Sequence, residues 1–153
     1  MDTATELLDD IPVDSKIPTL IAQENIPLVW PLIEPRLSNA MEKLEFVEID
    51  IPSVFNLLYA NQAQLWMGGD GEMIAITRIV IYPNVKRLVV DFIEGRNYEH
   101  YKEHMEYIEH WAIGLGATQA EAELRPGLEK VAKQEGWRRQ RVKMFKHLEK
   151  GLH

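Results

Sequence analysis

One stretch of the chain has the residue types and spacing to hold a phosphate-bearing ligand. The apolar run from Leu88 to Ile93 is short enough to be a strand of a sheet core rather than a helix. Gly95-Arg96-Asn97 then reads as a turn, and a helical pattern begins at Tyr98. A strand leading through a tight turn into a helix is where α/β proteins hold phosphates, because the first backbone N–H groups of the helix point at the anion. We therefore look for ligand chemistry at this turn first.

The same helix carries a second pattern with chemical meaning. The stretch from His100 to His104 spells H-Y-K-E-H, an H-x-x-E-H motif in which two histidines four residues apart share a helical face, as in the inverted zinc proteases. The two histidines fall on the more polar side of the predicted helix, and His110 falls on a different face. Those proteases also take a third ligand from a distant helix of a much larger fold. We therefore expect a solvated, histidine-rich face and no metal.

The composition is that of an ordinary soluble domain, with 46% hydrophobic and 27% charged residues in 153. The chain has no cysteine, which excludes disulfides, cysteine nucleophiles and thiolate metal sites. No apolar run is long enough to span a membrane, and the acidic start is unlike a signal peptide, so we expect a protein of the cytoplasm or of a virion.

The formal net charge of -7 is unevenly distributed. Residues 1–124 carry 8 Lys and Arg against 21 Asp and Glu, whereas residues 125–153 carry 9 against 3. The basic end could meet nucleic acid, a phosphorylated cofactor or an acidic partner. Pairing with the acidic body of its own fold is the interpretation we favour.

Periodicity predicts an arm followed by a single domain. Residues 1–26 read as an extended arm, since Ile-Pro pairs recur there among acidic residues, and residues 27–153 read as the domain. The patterns predict helices from Trp30, or from nearer Glu34, and over 54–60 with Asp50 or Ser53 as the cap. They further predict strands over 64–67, 73–82 and 88–93, a helix over 98–115 closed by Gly114 and Gly116, a strand over 118–124, a helix over 126–136 and a strand over 137–148.

The buried face of the long helix follows from three- and four-residue spacing. Its predicted members are Tyr98, Tyr101, Met105, Ile108, Trp111, Ala112 and Leu115.

This order of elements, a three-strand meander followed by helix, strand, helix and strand, resembles the GNAT family of N-acetyltransferases. The stretch from Ile108 to Ala117 resembles the end of the family's cofactor-binding helix, and the stretch from Arg125 to Trp137 resembles the helix that closes on a Gly-aromatic pair. More narrowly, Trp30-Pro31, Gln64-Leu65-Trp66 and the same stretch from Arg125 to Trp137 resemble GNAT-like proteins encoded by tailed bacteriophages. The resemblance implies an α/β fold with a mixed sheet flanked by helices, and it covers about residues 28–150.

The resemblance also implies a cofactor loop, and here the chain departs from the family. The family holds the pyrophosphate of coenzyme A in a Q/R-x-x-G-x-G/A loop, and Arg96 falls near the basic position of that loop. Glu99 and Tyr101 fall where glycines should be, and a carboxylate and a phenol there would oppose the phosphates. If acetyl-coenzyme A binds, the resemblance places it on Ile93, Gly95, Arg96 and Asn97.

The catalytic groups depart from the family as well. Ala132 occupies the position of the tyrosine that usually serves as general acid. A base for the amine could come by position from Glu72, Asp91 or Glu94, although each is also an ordinary surface or strand-end acid. We therefore assign no catalytic residue from the sequence.

The basic run from Arg138 to His147 has two interpretations. Its cations interleave with aromatic residues, as in segments that follow a nucleic-acid backbone. The alternation of Val142, Met144 and Leu148 against Arg141 and Lys143 instead suits an edge strand with one buried face. We favour the edge strand, because the overall acidic charge opposes association with nucleic acid.

Two functional hypotheses follow from these expectations. The first is a phage GNAT-fold protein with an eroded acetyl-coenzyme A site and no cofactor, serving as a structural or assembly component of the virion. Its partners would be other phage proteins, bound through the arm and the basic C-terminal strand, with no membrane and no nucleic acid. The alternative is an active acyl-coenzyme A-dependent N-acetyltransferase with an atypical loop. An enzyme should keep a free cleft between the Phe92 strand and the Thr118 strand, whereas Tyr101 would fill it in a structural descendant.

Overall fold

A five-stranded sheet organises the chain, and its strands follow one another in space in the same order as in the sequence. The computed structural model describes residues 17–42, 49–68, 71–95, 98–123 and 126–148. The strands are β1 Thr19–Leu20, β2 Gln64–Gly68, β3 Met73–Ile81, β4 Lys86–Glu94 and β5 Gln119–Ala122. The helices are α1 Ile26–Glu42, α2 Ile51–Tyr59, α3 Tyr98–Gly114 and α4 Pro126–Gln134. Neighbouring strands are antiparallel except β4 and β5, which are parallel. The predicted mixed α/β sheet flanked by helices is confirmed.

The sheet is covered on both faces, which is why its central strands are almost continuously apolar. Leu65, Met67 and Ile74 point to a cluster that contains the buried residues of α1 and α2. Their sequence neighbours Trp66 and Met73 point to a second cluster that contains the buried residues of α3. The period of two along each strand therefore divides a single apolar run between two cores.

Helix α1 begins at Ile26, earlier than the predicted start at Trp30 or Glu34. The prediction gave too much weight to proline, which removes a helical N–H donor and normally ends a helix. Here Pro27, Pro31 and Pro35 are four residues apart, and all three are exposed. The carbonyl groups that lose their partners therefore face water, while the opposite side of the helix is buried. The buried residues are Ile26, Val29, Ile33 and Leu37.

Helix α2 is capped by Asp50, one of the two predicted candidates. The backbone N–H of Ser53 donates to Asp50 Oδ1 at 2.9 Å. This bond satisfies one of the N–H groups that have no partner within a helix. Hydrogen bonds from the side chain and the backbone of Ser53 lower the pKa of Asp50.

Helix α3 lies where the sequence predicts it, but His104 and Leu115 differ in burial from the prediction. His104 is completely buried, whereas the pattern placed it on the polar side. It lies four and eight residues before Ile108 and Ala112, and so continues their buried row. Leu115 lies beyond the end of the helix and is 47% exposed. Gly116 has a φ of 96°, the left-handed conformation expected at the end of a helix.

The described residues form two compact units, the first ending at Ala122 and the second beginning at Glu123. In the second unit, Arg139 donates Nε and Nη2 to the two carboxylate oxygens of Glu129 at 2.9 and 2.6 Å. The guanidinium of Arg139 lowers the pKa of Glu129. Lys143 Nζ lies 3.8 Å from Glu123 Oε1.

The strand predicted over residues 137–148 is wrong, because these residues form neither helix nor strand. Alternation gives a segment two chemically different faces. A strand also needs a neighbour whose backbone pairs with its own, and the structure gives this segment none among the described strands.

Part of the predicted arm lies within the described residues. Thr19 and Leu20 pair with Met67 and Trp66 of β2, and Ile21 packs against the core beneath α1 and α2. Residues 1–16 lie outside the described residues, so the extended arm remains a prediction there. No helix in the described ranges is both long and apolar enough to cross a membrane.

Candidate functional site

The predicted site lies where β4 extends beyond β5. The parallel pairing of the two strands runs from Arg87 opposite Gln119 to Val90 opposite Ala122. Strand β4 continues for four more residues, Asp91 to Glu94, and no described strand pairs with that side of them. We call these four residues the open edge of β4. Their outward backbone N–H and C=O groups are available to an extended ligand that contains amide groups.

A β-bulge opens this edge. On the other side of β4, Ile76 pairs with Phe92 and Thr77 pairs with Val90, so Asp91 is an extra residue between the two pairs. An extra residue bends the strand and increases its twist, and such bulges are common beside active sites. It also shifts the alternation of side chains, so that Val90 and Ile93 point towards the α3 cluster while Phe92 points towards α1 and α2.

The four predicted cofactor-binding residues follow directly from this edge. Ile93 belongs to it and packs against the core beneath α3, while Gly95 is exposed immediately after β4. Arg96 and Asn97 lie outside the described residues, as do the side chains of Glu99 and Tyr101. Their assignment, and the predicted filling of the cleft by Tyr101, therefore remain predictions. The backbone of α3 begins at Tyr98, four residues after the end of β4.

Two of the candidate bases are bound by arginines. Arg78 donates through both Nε and Nη2 to the carboxylate of Asp91, and the Nη2–Oδ1 distance is 2.9 Å. This hydrogen bond to Asp91 raises the pKa of Arg78. Arg36 of α1 donates Nε to Glu94 Oε2 at 3.0 Å. Neither carboxylate can accept a substrate proton without weakening its bond to an arginine.

Arg36 also fixes the hairpin turn beside the open edge. Its other guanidinium nitrogens donate to the backbone carbonyl of Gly71 and, at 3.1 Å, to that of Glu72. One side chain of α1 therefore joins the turn after β2 to the end of β4. Sequence reasoning missed Arg36, because it lies 58 residues from Glu94 and no local spacing connects them.

Of the two histidines of the H-x-x-E-H motif, only His104 has a described side chain. His104 faces the core, and no group of three or more His, Asp or Glu in the described ranges could hold a metal ion. The ring of His104 instead lies over Gly68 at the end of β2. The side chain of His100 lies outside the described part of α3.

Comparison with solved structures finds the same fold among acetyltransferases. An aminoglycoside acetyltransferase from an uncultured soil metagenomic sample, in complex with sisomicin, matches with a TM-score of 0.63 and 10% sequence identity, covering 86% of this chain and 95% of that one. A probable acetyltransferase matches with a TM-score of 0.61 and 12% identity, covering 88% and 99%. An integron cassette protein from the mobile metagenome of Cole Harbour Salt Marsh matches with a TM-score of 0.59 and 14% identity, covering 86% and 90%.

At these identities the likeness establishes the fold alone, and that fold is the one shared by GNAT-type acetyltransferases. No family model matches the sequence, and no curated protein matches it either. Nothing in the comparisons bears on a phage origin or a virion role, which remain predictions.

Proposed function

We propose that this chain binds an acyl-coenzyme A along the open edge of β4 and transfers the acyl group to an amine. The observation that carries the proposal is that the pairing with β5 ends at Val90 and that the next four residues of β4, which begin with the bulge at Asp91, have no described strand on that side. The fold shared with acetyltransferases supports the same proposal.

The residues of the open edge fit the chemistry of this ligand. The pantetheine arm of coenzyme A is a narrow chain with two amides, and strand backbone binds such a chain by adding donors and acceptors at regular spacing. The coenzyme supplies an activated acyl group as a thioester. Phosphates would lie near Gly95 and the N-terminus of α3, with Arg96 and Asn97, which come between them in the sequence, as further contacts.

The protein's own part in the transfer is to hold the thioester and to relieve the amine of a proton. Backbone N–H groups of the open edge can donate to the carbonyl oxygen of the acyl group, on which negative charge develops. Asp91 and Glu94 are the acids nearest to that place in the chain, and both are bound by arginines. We therefore propose that proton removal proceeds through water beside one of these ion pairs.

A second candidate function is a protein-binding component that has lost the acetyl-coenzyme A site. The specific observation that favours it is the engagement of both Asp91 and Glu94 by arginines. Ala132 also favours this candidate, because it stands at the position of the tyrosine that usually serves as general acid in the family. A structural or assembly role in a phage virion is one form of this candidate, with residues 1–26 and the basic C-terminal residues as its contact surfaces.

Calorimetric titration with acetyl-coenzyme A separates the two candidates. We expect saturable binding of acetyl-coenzyme A in the micromolar range. Coenzyme A alone should also bind, because it carries the same phosphates. Binding should be followed by release of free thiol when a panel of primary amines is added. Absence of binding at millimolar acetyl-coenzyme A would overturn the first candidate and leave the second.

A matched pair of variants at Gly95 tests whether the phosphates of the ligand bind beside this residue. Gly95 is exposed directly after β4, so we expect the fold to accept a side chain there. Gly95→Asp sets a carboxylate beside the phosphates and should weaken binding about tenfold, a change of about 1.4 kcal/mol in binding free energy. Gly95→Ala adds a methyl group without charge and should change the affinity much less. Equal weakening by both variants would argue for a steric effect and against phosphate binding at this turn.

A further inference from the structure

Three aromatic side chains of α1 and α2 form a continuous strip that reaches the surface. Trp30 of α1 meets Phe55 of α2 edge to face, with ring centroids 5.2 Å apart, and Phe55 stacks on Tyr59 at 5.8 Å. Trp30 and Phe55 are only partly buried against the core beneath the two helices, and Tyr59 is 50% exposed. Each ring therefore keeps part of its surface in contact with water. We call these three residues the aromatic strip.

The aromatic strip lies in a groove between two antiparallel helices. Gln23, just before α1, donates its side-chain amide to the backbone carbonyl of Tyr59, the last residue of α2, so the start of α1 lies beside the end of α2. Phe55 and Tyr59 are four residues apart and share one side of α2. Trp30 and Glu34 likewise share one side of α1, and the contact of Trp30 with Phe55 makes the two sides face each other. A third helix packs against anchors at this spacing.

The surroundings of the aromatic strip are acidic. Residues 17–42 and 49–60 contain four carboxylates, and all four are exposed. These are Glu24, Glu34, Glu42 and Asp50. The single cation in the same two ranges is Arg36, and it is already bound to Glu94. Among the described residues, no cation forms an ion pair with Glu24, Glu34 or Glu42. The groove therefore lies in an uncompensated negative field, which attracts a cationic partner.

We infer that the groove between α1 and α2 binds a positively charged amphipathic helix of a partner protein. The apolar side of that helix covers the aromatic strip, because tryptophan and tyrosine are among the residues that contribute most to protein interfaces. Its lysines and arginines lie beside Glu34 and over the exposed face of Tyr59, where cation–π attraction adds to the charge attraction.

The charge of the groove selects a protein as the occupant. Nucleic acid and anionic lipid are both held by cations, and the four carboxylates around the aromatic strip repel them. The unengaged polar ends of the strip fit a peptide as well. The indole N–H of Trp30 and the hydroxyl of Tyr59 form no hydrogen bond within the part of the chain that the structure describes, so both can bond to a partner. This inference does not rest on the binding of acyl-coenzyme A.

Isothermal titration of the full chain with a synthetic helix tests the inference. The probe is an amphipathic peptide of leucine and lysine, about 15 residues long so that it forms a helix. A peptide with glutamate in place of every lysine is its control. We expect the lysine peptide to bind one to one in the micromolar range and more weakly at high salt, and the glutamate peptide not to bind. Absence of binding by the lysine peptide would overturn the inference.

Matched variants show where on the chain the peptide binds. Glu34→Lys and Glu106→Lys change the net charge equally, but Glu106 is an exposed residue of α3, on the other face of the sheet. Glu34→Lys should weaken binding about tenfold, whereas Glu106→Lys should leave it within about twofold. Tyr59→Ser removes the most exposed ring and should also weaken binding about tenfold. Circular dichroism confirms that all three variants fold.

Two outcomes of these measurements contradict the inference. Equal weakening by Glu34→Lys and Glu106→Lys would show that the peptide is held by the overall negative charge and not by the groove. Light scattering of the protein without peptide identifies a second copy as the alternative occupant. A dimer that Glu34→Lys or Tyr59→Ser dissociates would place another copy of the chain in the groove instead of a partner helix.

Discussion

The imidazole of His104 lies directly against the α-carbon of Gly68. A Cβ atom placed on Gly68 would lie 2.6 Å from both Cε1 and Nε2 of the ring, closer than real Cβ contacts occur. His104 is completely buried, so a shift of its ring would have to displace packed neighbours. Helix α3 and strand β2 therefore approach each other at a place where the absence of a side chain on Gly68 makes room for the His104 ring.

Gly68→Ala should destabilise the protein by about 1–3 kcal/mol, because a methyl group forced into a packed core displaces its neighbours. The cost should fall by more than half in a His104→Ala background, where the space is vacant. Urea denaturation of the four proteins of this cycle measures the coupling. Gly114→Ala is the control, since no atom lies within 4 Å of the added Cβ. An equal cost of Gly68→Ala in both backgrounds would show that the ring is not the obstacle.

Thr77→Val should be more harmful than Thr77→Ser. Trp66 Nε1 donates to Thr77 Oγ1 at 3.0 Å, and that hydroxyl donates to Gln64 Oε1 at 3.0 Å. Valine keeps the shape but leaves the buried indole N–H without an acceptor, which costs about 1–3 kcal/mol. Serine keeps the hydroxyl and loses one methyl group, a cost of about 0.8 kcal/mol. Urea midpoints compare the two variants, and a serine variant as unstable as the valine variant would contradict the role of the hydroxyl.

Arg36→Met should destabilise the protein by about 2 kcal/mol, since it removes hydrogen bonds from a charged group to three acceptors. These acceptors lie in the turn after β2 and at the end of β4, so the variant should also increase amide exchange at residues 71–73. Arg78→Met is the matched control. Its bond to Asp91 joins two strands that already pair and is more exposed, so it should cost less than about 1 kcal/mol. Equal effects of the two variants would mean that Arg36 has no special bridging role.

The cap at Asp50 predicts a pH dependence with a definite sign. The folded state lowers the pKa of Asp50, so the contribution of this group is complete above its unfolded pKa of about 3.9. It is lost as the pH falls through the lower, folded value. The stability difference between the native protein and Asp50→Ala should therefore be constant at neutral pH and shrink below about pH 4. Thermal unfolding from pH 7 to pH 3 measures the difference, and a gap that widens on acidification would contradict the assignment.

Much of the fold could be predicted because its signals are local. The nearly continuous apolar run of β3 and the four-residue spacing of Ile108 and Ala112 in α3 indicate the element types and their order without knowledge of contacts. The site could be predicted less well, because it depends on distant pairs. The contact of Arg36 with Glu94 joins residues 58 apart, and Asp91 reads in the sequence only as one acid within an apolar run, which does not reveal a bulge. His104 was misplaced because a histidine is compatible with either side of a helix, and only packing against Gly68 decides.

The bulge at Asp91 gives β4 one residue more than regular pairing with β3 requires. Substitution of Asp91 removes an ion pair with Arg78 at the surface. Deletion of the same residue would bring the pair of Val90 with Thr77 directly next to the pair of Phe92 with Ile76, as in a regular ladder, so Phe92 and Ile93 would keep the cores they already face. A deletion between two regularly paired residues of the strand would instead turn the later side chains to the opposite face. Alignments of homologous sequences should therefore place any single-residue gap within this strand at Asp91.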